Sequence, residues 1–171
     1  DWIVISSGGK LIDMAKNEGK EYIKIPNGLQ PRAAFGYLTL AVSKIIDISE
    51  GSNYVSQLND VSSHLDKLSK MDEESDINKL SIDICESINK KTVIIYSGTD
   101  MSRVVSSRWK TQINENAKSK AFVGHLPEIH HNEILSWDAD KDGSKKNYVV
   151  IFIRDQNEHV QIRKRLNLLK I

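Results

Sequence analysis

Twice in this chain a continuous apolar run stops at a Ser-Gly turn and gives way to a helical pattern, and few folds accept that arrangement. Trp2–Ile5 passes through Ser6-Ser-Gly-Gly9 into Lys10–Asn17, where Leu11, Met14 and Ala15 recur at helical spacing. Thr92–Tyr96 passes through Ser97-Gly-Thr-Asp100 into a helical stretch at Met101–Ala117. A strand with no polar alternation needs apolar cover on both faces, the condition of a parallel sheet packed between helices. A third such run, Tyr148–Arg154, precedes an interrupted helical stretch at Asn157–Lys170. Shorter strand signals at Glu21–Ile25 and Ala121–Gly124, and a short helix at His131–Trp137, complete the alternation. The expected fold is α/β: a doubly wound parallel sheet in three α/β/α layers.

Between the two openings the pattern is helical. Pro31 is placed as the first residue of a long helix running to about Ile48, since proline lacks only an N–H that would be unpaired there anyway. Glu50–Asn53 is polar and contains Gly51, which sets the expected domain boundary: residues 1–50 on one side, 51–171 on the other. Tyr54–Lys70 and Ile77–Asn89 then read as two amphipathic helices leading into the second unit. The chain opens directly on an apolar run and closes inside a helical pattern without a stop signal, so a longer parent protein is expected.

Charge removes some functions from consideration. The 171 residues carry 24 Lys and Arg against 23 Asp and Glu, a formal net charge of +1. That balance gives no basic footprint for nucleic acid or anionic lipid, and the apolar runs are far too short to span a bilayer. The single cysteine, Cys85, can form no internal disulfide; set among Ile82, Ile84 and Ile88 it reads as a small buried hydrophobe. A reducing cytoplasm fits.

Several motifs suggest chemistry. Asp138-Ala-Asp-Lys-Asp-Gly143 matches the front of a calcium loop, but the twelfth position, which should be glutamate, is Val149, so a polar connection is expected. His125, His130, His131 and Glu133 hold metal-ligating types at spacings that suit no regular zinc site, and no metal is expected. Ser6-Ser-Gly-Gly9 ahead of a helix could cradle a phosphate, though a plain βα turn explains it as well. The informative stretch is Arg108-Trp-Lys through Asn114-Glu-Asn-Ala-Lys118, followed by Leu126-Pro-Glu-Ile-His-His-Asn-Glu-Ile134. A solvated helix face accounts for Arg108, Lys110 and Lys118. It accounts less well for two asparagines flanking Glu115 late in a helix, because asparagine weakens helices. From the residues alone, scaffold and site both stand.

At these residues the sequence resembles the bifunctional phosphoglucose/phosphomannose isomerases. The matching strings are Ile5-Ser-Ser-Gly-Gly-Lys-Leu11, Pro31-Arg-Ala-Ala34, Arg108-Trp-Lys with Asn114-Glu-Asn-Ala-Lys118, and Pro127-Glu with His130-His-Asn-Glu133. The resemblance implies two SIS domains, flavodoxin-like α/β units that bind sugar phosphates, with two subunits forming a homodimer. Residues 1–50 would be the tail of the first SIS domain, and 51–171 linker helices with a partial second one. The domain pair would thus be incomplete at both ends: the family's phosphate-gripping loops lie before Asp1, and its catalytic lysine lies beyond Ile171. This piece alone is therefore expected to be inactive.

The resemblance also implies a reaction, aldose–ketose isomerisation of hexose 6-phosphates through a cis-enediolate. Glu115 would be the base that moves a proton between C1 and C2. Arg32, in the Pro31-Arg32 string, would hold the developing enediolate oxygens. His131, reaching in from the neighbouring subunit, would open the sugar ring. No metal or organic cofactor is implied. The competing expectation is a SIS module that binds a sugar phosphate without catalysis, for which a carboxylate base would be superfluous.

Overall fold

The computed structural model describes residues 2–70, 75–139 and 141–169, and the chain falls into two compact units, Asp1–Asp72 and Glu73–Ile171. In the first unit β1 (Val4–Ser6) pairs in parallel with β2 (Tyr22–Lys24), and α1 (Lys10–Asn17) connects them. The chain enters α1 through Gly9 at φ 78°, a conformation that glycine alone adopts without steric cost. Val4, Ile12 and Ala15 form a small core beneath the helix. The apolar run is covered less than expected, because β1 begins at Val4 while Trp2 and Ile3 are each 41% exposed. A two-stranded sheet under one helix leaves that end of the run without cover.

The rest of this unit is a helical pair, α2 (Phe35–Glu50) against α3 (Tyr54–Ser69). Asp47 joins them. Its carboxylate accepts from Ser52 Oγ at 2.6 Å and from the backbone N–H groups of Tyr54 at 2.8 Å and Val55 at 2.9 Å. Those amides open α3 and have no partner inside it, so a carboxylate is well suited to them. The same bonds hold the Asp47 carboxyl below its ordinary pKa, Ser52 contributing most. One expectation needs correction here. Pro31 does not start α2: residues 31–33 form a turn closed by Ala34 N–H to the Gln30 carbonyl, and Ala34 at ψ 5° interrupts the helical path before Phe35. By packing, α3 goes with α2, and the first compact unit runs to Asp72.

The second unit runs α4 (Asp76–Ile88), β3 (Thr92–Ser97), α5 (Asp100–Glu115), β4 (Ala121–His125), α6 (Ile129–Asn132), α7 (Ile134–Asp138), β5 (Tyr148–Ile153) and α8 (Val160–Leu168). Its sheet has the order β4-β3-β5, all parallel, with Ile94 of β3 opposite Phe122 on one side and Val150 on the other. Alternation along β3 then separates two cores. Val93 and Ile95, both fully buried, pack with Ile88 of α4 and with Trp109 and Ile113 of α5. Tyr96 points the other way, into Leu126, Ile129, Ile162 and Leu166. Each side chain so buried contributes about 1.5–3 kcal/mol relative to exposure. Helices therefore cover both faces, and the fold is the doubly wound, three-layer α/β/α arrangement that the apolar runs imply.

The covering is uneven. β3 is buried on both faces, but β5, paired among the described residues to β3 alone, is half-buried along most of its length. Gly124 of β4 fits where no side chain could, since a Cβ there would lie 2.6 Å from the Tyr96 ring and 2.7 Å from Ile129. The single helix expected at His131–Trp137 is two short ones, α6 and α7, broken at Glu133. Cys85 is exposed and not buried as its sequence neighbours suggest. Ile84 and Ile88 make the inward stripe of α4, and Cys85, one residue on, is turned about 100° away from it.

Candidate active site

α5 runs antiparallel to the strands, so it carries its last residue, Glu115, to the N-terminal end of the sheet beside the start of β4. Glu115 is exposed. Its predecessor Asn114 turns back to the sheet: Oδ1 accepts the Ala121 N–H at 2.8 Å, and Nδ2 reaches the Ala121 carbonyl at 3.4 Å. On the other side of Glu115, the Asn116 side chain bonds to that of Gln112. The asparagines that make a poor helix end thus fasten it to its neighbours.

His131 sits on α6, beyond the C-terminal end of β4, and is exposed. Its segment is pinned to the sheet two residues later. The Tyr96 hydroxyl donates to Glu133 Oε2 at 2.9 Å and accepts from Trp137 Nε1 at 2.8 Å. Burial, with the nearby Glu133 carboxylate, pushes the Tyr96 pKa up to about 12, so the hydroxyl stays protonated and keeps donating. A cavity of about 270 Å³ opens beside this bridge, bordered by Tyr96, Glu133, Trp137, Lys145 and Tyr148.

The other two histidines of the group have neighbours of their own. His130 Nδ1 lies 3.1 Å from Arg165 Nη1. A guanidinium only donates, so Nδ1 accepts and the proton sits on Nε2, which has no partner within the described residues. Burial and Arg165 both lower the His130 pKa. His125 Nδ1 is 2.9 Å from Ser97 Oγ, which is 2.9 Å from Ser106 Oγ, and Ser106 donates to the Arg103 carbonyl. Because Ser106 has spent its only proton, Ser97 donates to Ser106 and His125 Nδ1–H donates to Ser97. Burial and then Arg103 lower the His125 pKa. Among the described residues no group of three or more His, Cys, Asp or Glu side chains is placed to hold a metal. The calcium-like stretch contributes Asp138 to α7, and its Gly143 at φ 69° opens a short 3-10 turn, while Asp140 lies outside the described residues.

Glu115 and His131 are therefore not brought together within one chain. They occupy opposite ends of the sheet and opposite faces, Glu115 behind the Trp109 and Ile113 core and His131 next to the Ile129 core. The five residues of β4 alone separate those ends by roughly 16 Å. Pro31 and the half-buried Arg32 belong to the other unit, on the turn before α2. The Ser6-Ser-Gly-Gly9 loop is closed on itself, Ser6 Oγ donating to the Gly8 carbonyl at 2.9 Å and accepting the Gly8 N–H at 3.3 Å. Sequence reasoning missed the two anchors, Asn114 on Ala121 and Tyr96 on Glu133. The available signals were a tyrosine closing an otherwise apolar strand and asparagines in a final helical turn.

A parallel sheet wound on both faces, with a carboxylate at one end and an imidazole at the other, defines a doubly wound α/β domain carrying acid/base groups. The chain belongs to the family described as bacterial phospho-glucose isomerase C-terminal SIS domains, whose model matches residues 77–171. Similar proteins extend beyond that span. A bifunctional phosphoglucose/phosphomannose isomerase of Aquifex aeolicus is 32% identical over 168 residues, covering 98% of this chain and 48% of its own. Its counterpart in Thermoplasma acidophilum is 34% identical over 170 residues, 96% of this chain and 47% of its own. A D-glucosamine-6-phosphate 4-epimerase of Sulfolobus acidocaldarius is 35% identical over 132 residues, 77% of this chain and 40% of its own. The chain thus spans about half the length of the curated relatives it matches. No solved structure gives a significant match. Among the described residues, no helix is long and apolar enough to cross a membrane.

Proposed function

We propose that this chain serves as part of an aldose–ketose isomerase that interconverts glucose 6-phosphate or mannose 6-phosphate with fructose 6-phosphate. The observation that carries this reading is the match, along 96–98% of the chain, to relatives named bifunctional phosphoglucose/phosphomannose isomerase. On this reading residues 1–50 end a first SIS domain, and 51–171 supply linker helices and part of the second.

In the reaction, Glu115 takes the proton from C2 of the open-chain aldose and returns it to C1. The carbonyl moves from C1 to C2 through a cis-enediolate as a hydroxyl proton passes from O2 to O1. The Arg32 guanidinium, presented on the Pro31 turn, holds the oxygens on which charge develops. His131 moves the proton between the ring oxygen and the anomeric hydroxyl as the ring opens. Neither a metal nor an organic cofactor enters any of these steps. Two groups held at opposite ends of one sheet cannot both touch one hexose, which favours a homodimer in which His131 comes from the partner subunit.

Glu115→Gln in the full-length protein tests the reading. The amide keeps the shape of the carboxylate but takes no proton, so sugar-phosphate binding should survive while turnover falls about a hundred- to ten-thousand-fold. Near-normal turnover would remove Glu115 from the mechanism. Binding of hexose 6-phosphate with no turnover in the unmutated protein would favour a non-catalytic SIS module. Offering glucosamine 6-phosphate in parallel checks the chemistry named for the Sulfolobus relative.

A further inference from the structure

Glu115 is the last residue of α5, and the last turn of a helix has no following turn to hold it. The backbone N–H of Asn116 still bonds to the Gln112 carbonyl, but two residues on, Lys118 adopts φ 53° and the chain leaves the helical path. A carboxylate that must reach two adjacent carbons of one substrate tolerates little of the fraying usual at such an end. Asn114 supplies a constraint from outside the helix. Its side-chain amide matches the Ala121 peptide group at both ends, accepting the N–H at 2.8 Å and offering its own NH2 to the carbonyl at 3.4 Å. Ala121 is 2% exposed and opens β4, whose Ala121 pairs with Val93 of the fully covered central strand. Glu115 is thereby referenced to the sheet core through the side chain of its immediate neighbour.

We infer that Asn114 is a positioning residue for Glu115: its double hydrogen bond to the Ala121 peptide sets where the carboxylate stands for proton transfer. The inference rests on the reading of Glu115 as the base. It explains why a weak helix former occupies the final turn, since alanine there would hold the helix better and the carboxylate worse. Aspartate would keep the shorter bond, accepting the Ala121 N–H. It would also lose the donor to the carbonyl and place a second negative charge beside Glu115.

The test compares Asn114→Ala and Asn114→Asp in the full-length protein, each alone and combined with Glu115→Gln, with hexose 6-phosphate as substrate. Asn114→Ala should lower kcat about ten- to a hundredfold with KM changed less than about twofold, the signature of a displaced catalytic group. Asn114→Asp should lose less, because it keeps the bond from the Ala121 N–H and loses only the donor to the carbonyl. In the Glu115→Gln background neither change should reduce the residual rate further, because there is no base left to position. Near-normal kcat in a folded Asn114→Ala protein would overturn the inference. So would an equal proportional loss with and without Glu115, which would mark a general structural role. Should Asn114→Ala fail to fold, an Asn114→Asp protein with full kcat would overturn it equally. Full activity in Glu115→Gln alone would instead bring down the reading of Glu115, and the positioning role with it.

Discussion

Protonating His130 is opposed twice, by burial and by the Arg165 guanidinium bonded to its Nδ1. His125 is opposed by burial and by Arg103, while its Nδ1–H is committed to Ser97. Both pKa values lie below the ordinary 6.5, so the folded protein binds fewer protons than the unfolded chain. Their contribution to stability is complete above about pH 6.5 and is lost as pH falls through the depressed folded values. Urea unfolding should therefore show a lower midpoint at pH 5.5 than at pH 7.5, and His130→Gln should shrink that difference. An unchanged difference would mean that His130 is not held neutral by the fold. These residues also show what a linear pattern hides. In sequence, His125, His130, His131 and Glu133 resemble a loose metal cluster, whereas in the fold Ser97, Arg165 and Tyr96 engage three of them separately. Partners 28 to 37 residues away leave no mark on local spacing. The two asparagines around Glu115 marked an implausible helix end, but the partner that accounts for Asn114, Ala121, was not legible.

At the scale of elements, what could be read locally was read well and what depended on cover was not. α1 has its expected bounds, and β3 lies within a residue of them, because a Gly turn and an apolar run define them without outside help. Pro31 misled, since proline fits a tight turn as readily as a first helical position, and the carbonyl of Gln30 decides between them. Cys85 misled because apolar sequence neighbours on a helix need not share its inward face. β4 carries the sharpest packing constraint. A methyl group at Gly124 would press on the Tyr96 ring and Ile129, both nearly fully buried. Gly124→Ala should cost about 1–3 kcal/mol, seen as a lower denaturation midpoint with an unchanged denaturant slope. It should also disturb the Tyr96–Glu133 bridge that holds the His131 segment. Full stability in this variant would show that β4 can move away from β3 more easily than its pairing suggests.

At the scale of the molecule, the doubly wound fold followed from the apolar runs, but the extent of the first compact unit did not. Gly51 does close α2, in the left-handed conformation. The next helix nonetheless turns back onto α2, held by the Asp47 carboxylate, so a sequence break and a packing break lie about twenty residues apart. On the proposed reading the site draws on more than one subunit: Arg32 lies in the first unit, and Glu115 and His131 lie at opposite ends of the second. Mixing full-length Glu115→Gln and His131→Ala proteins, each inactive alone, tests this most directly. A heterodimer would hold one site with both residues intact and one with neither. Equal amounts, freely exchanged, should regain about a quarter of the unmutated activity. No recovery after confirmed subunit exchange would contradict the shared site.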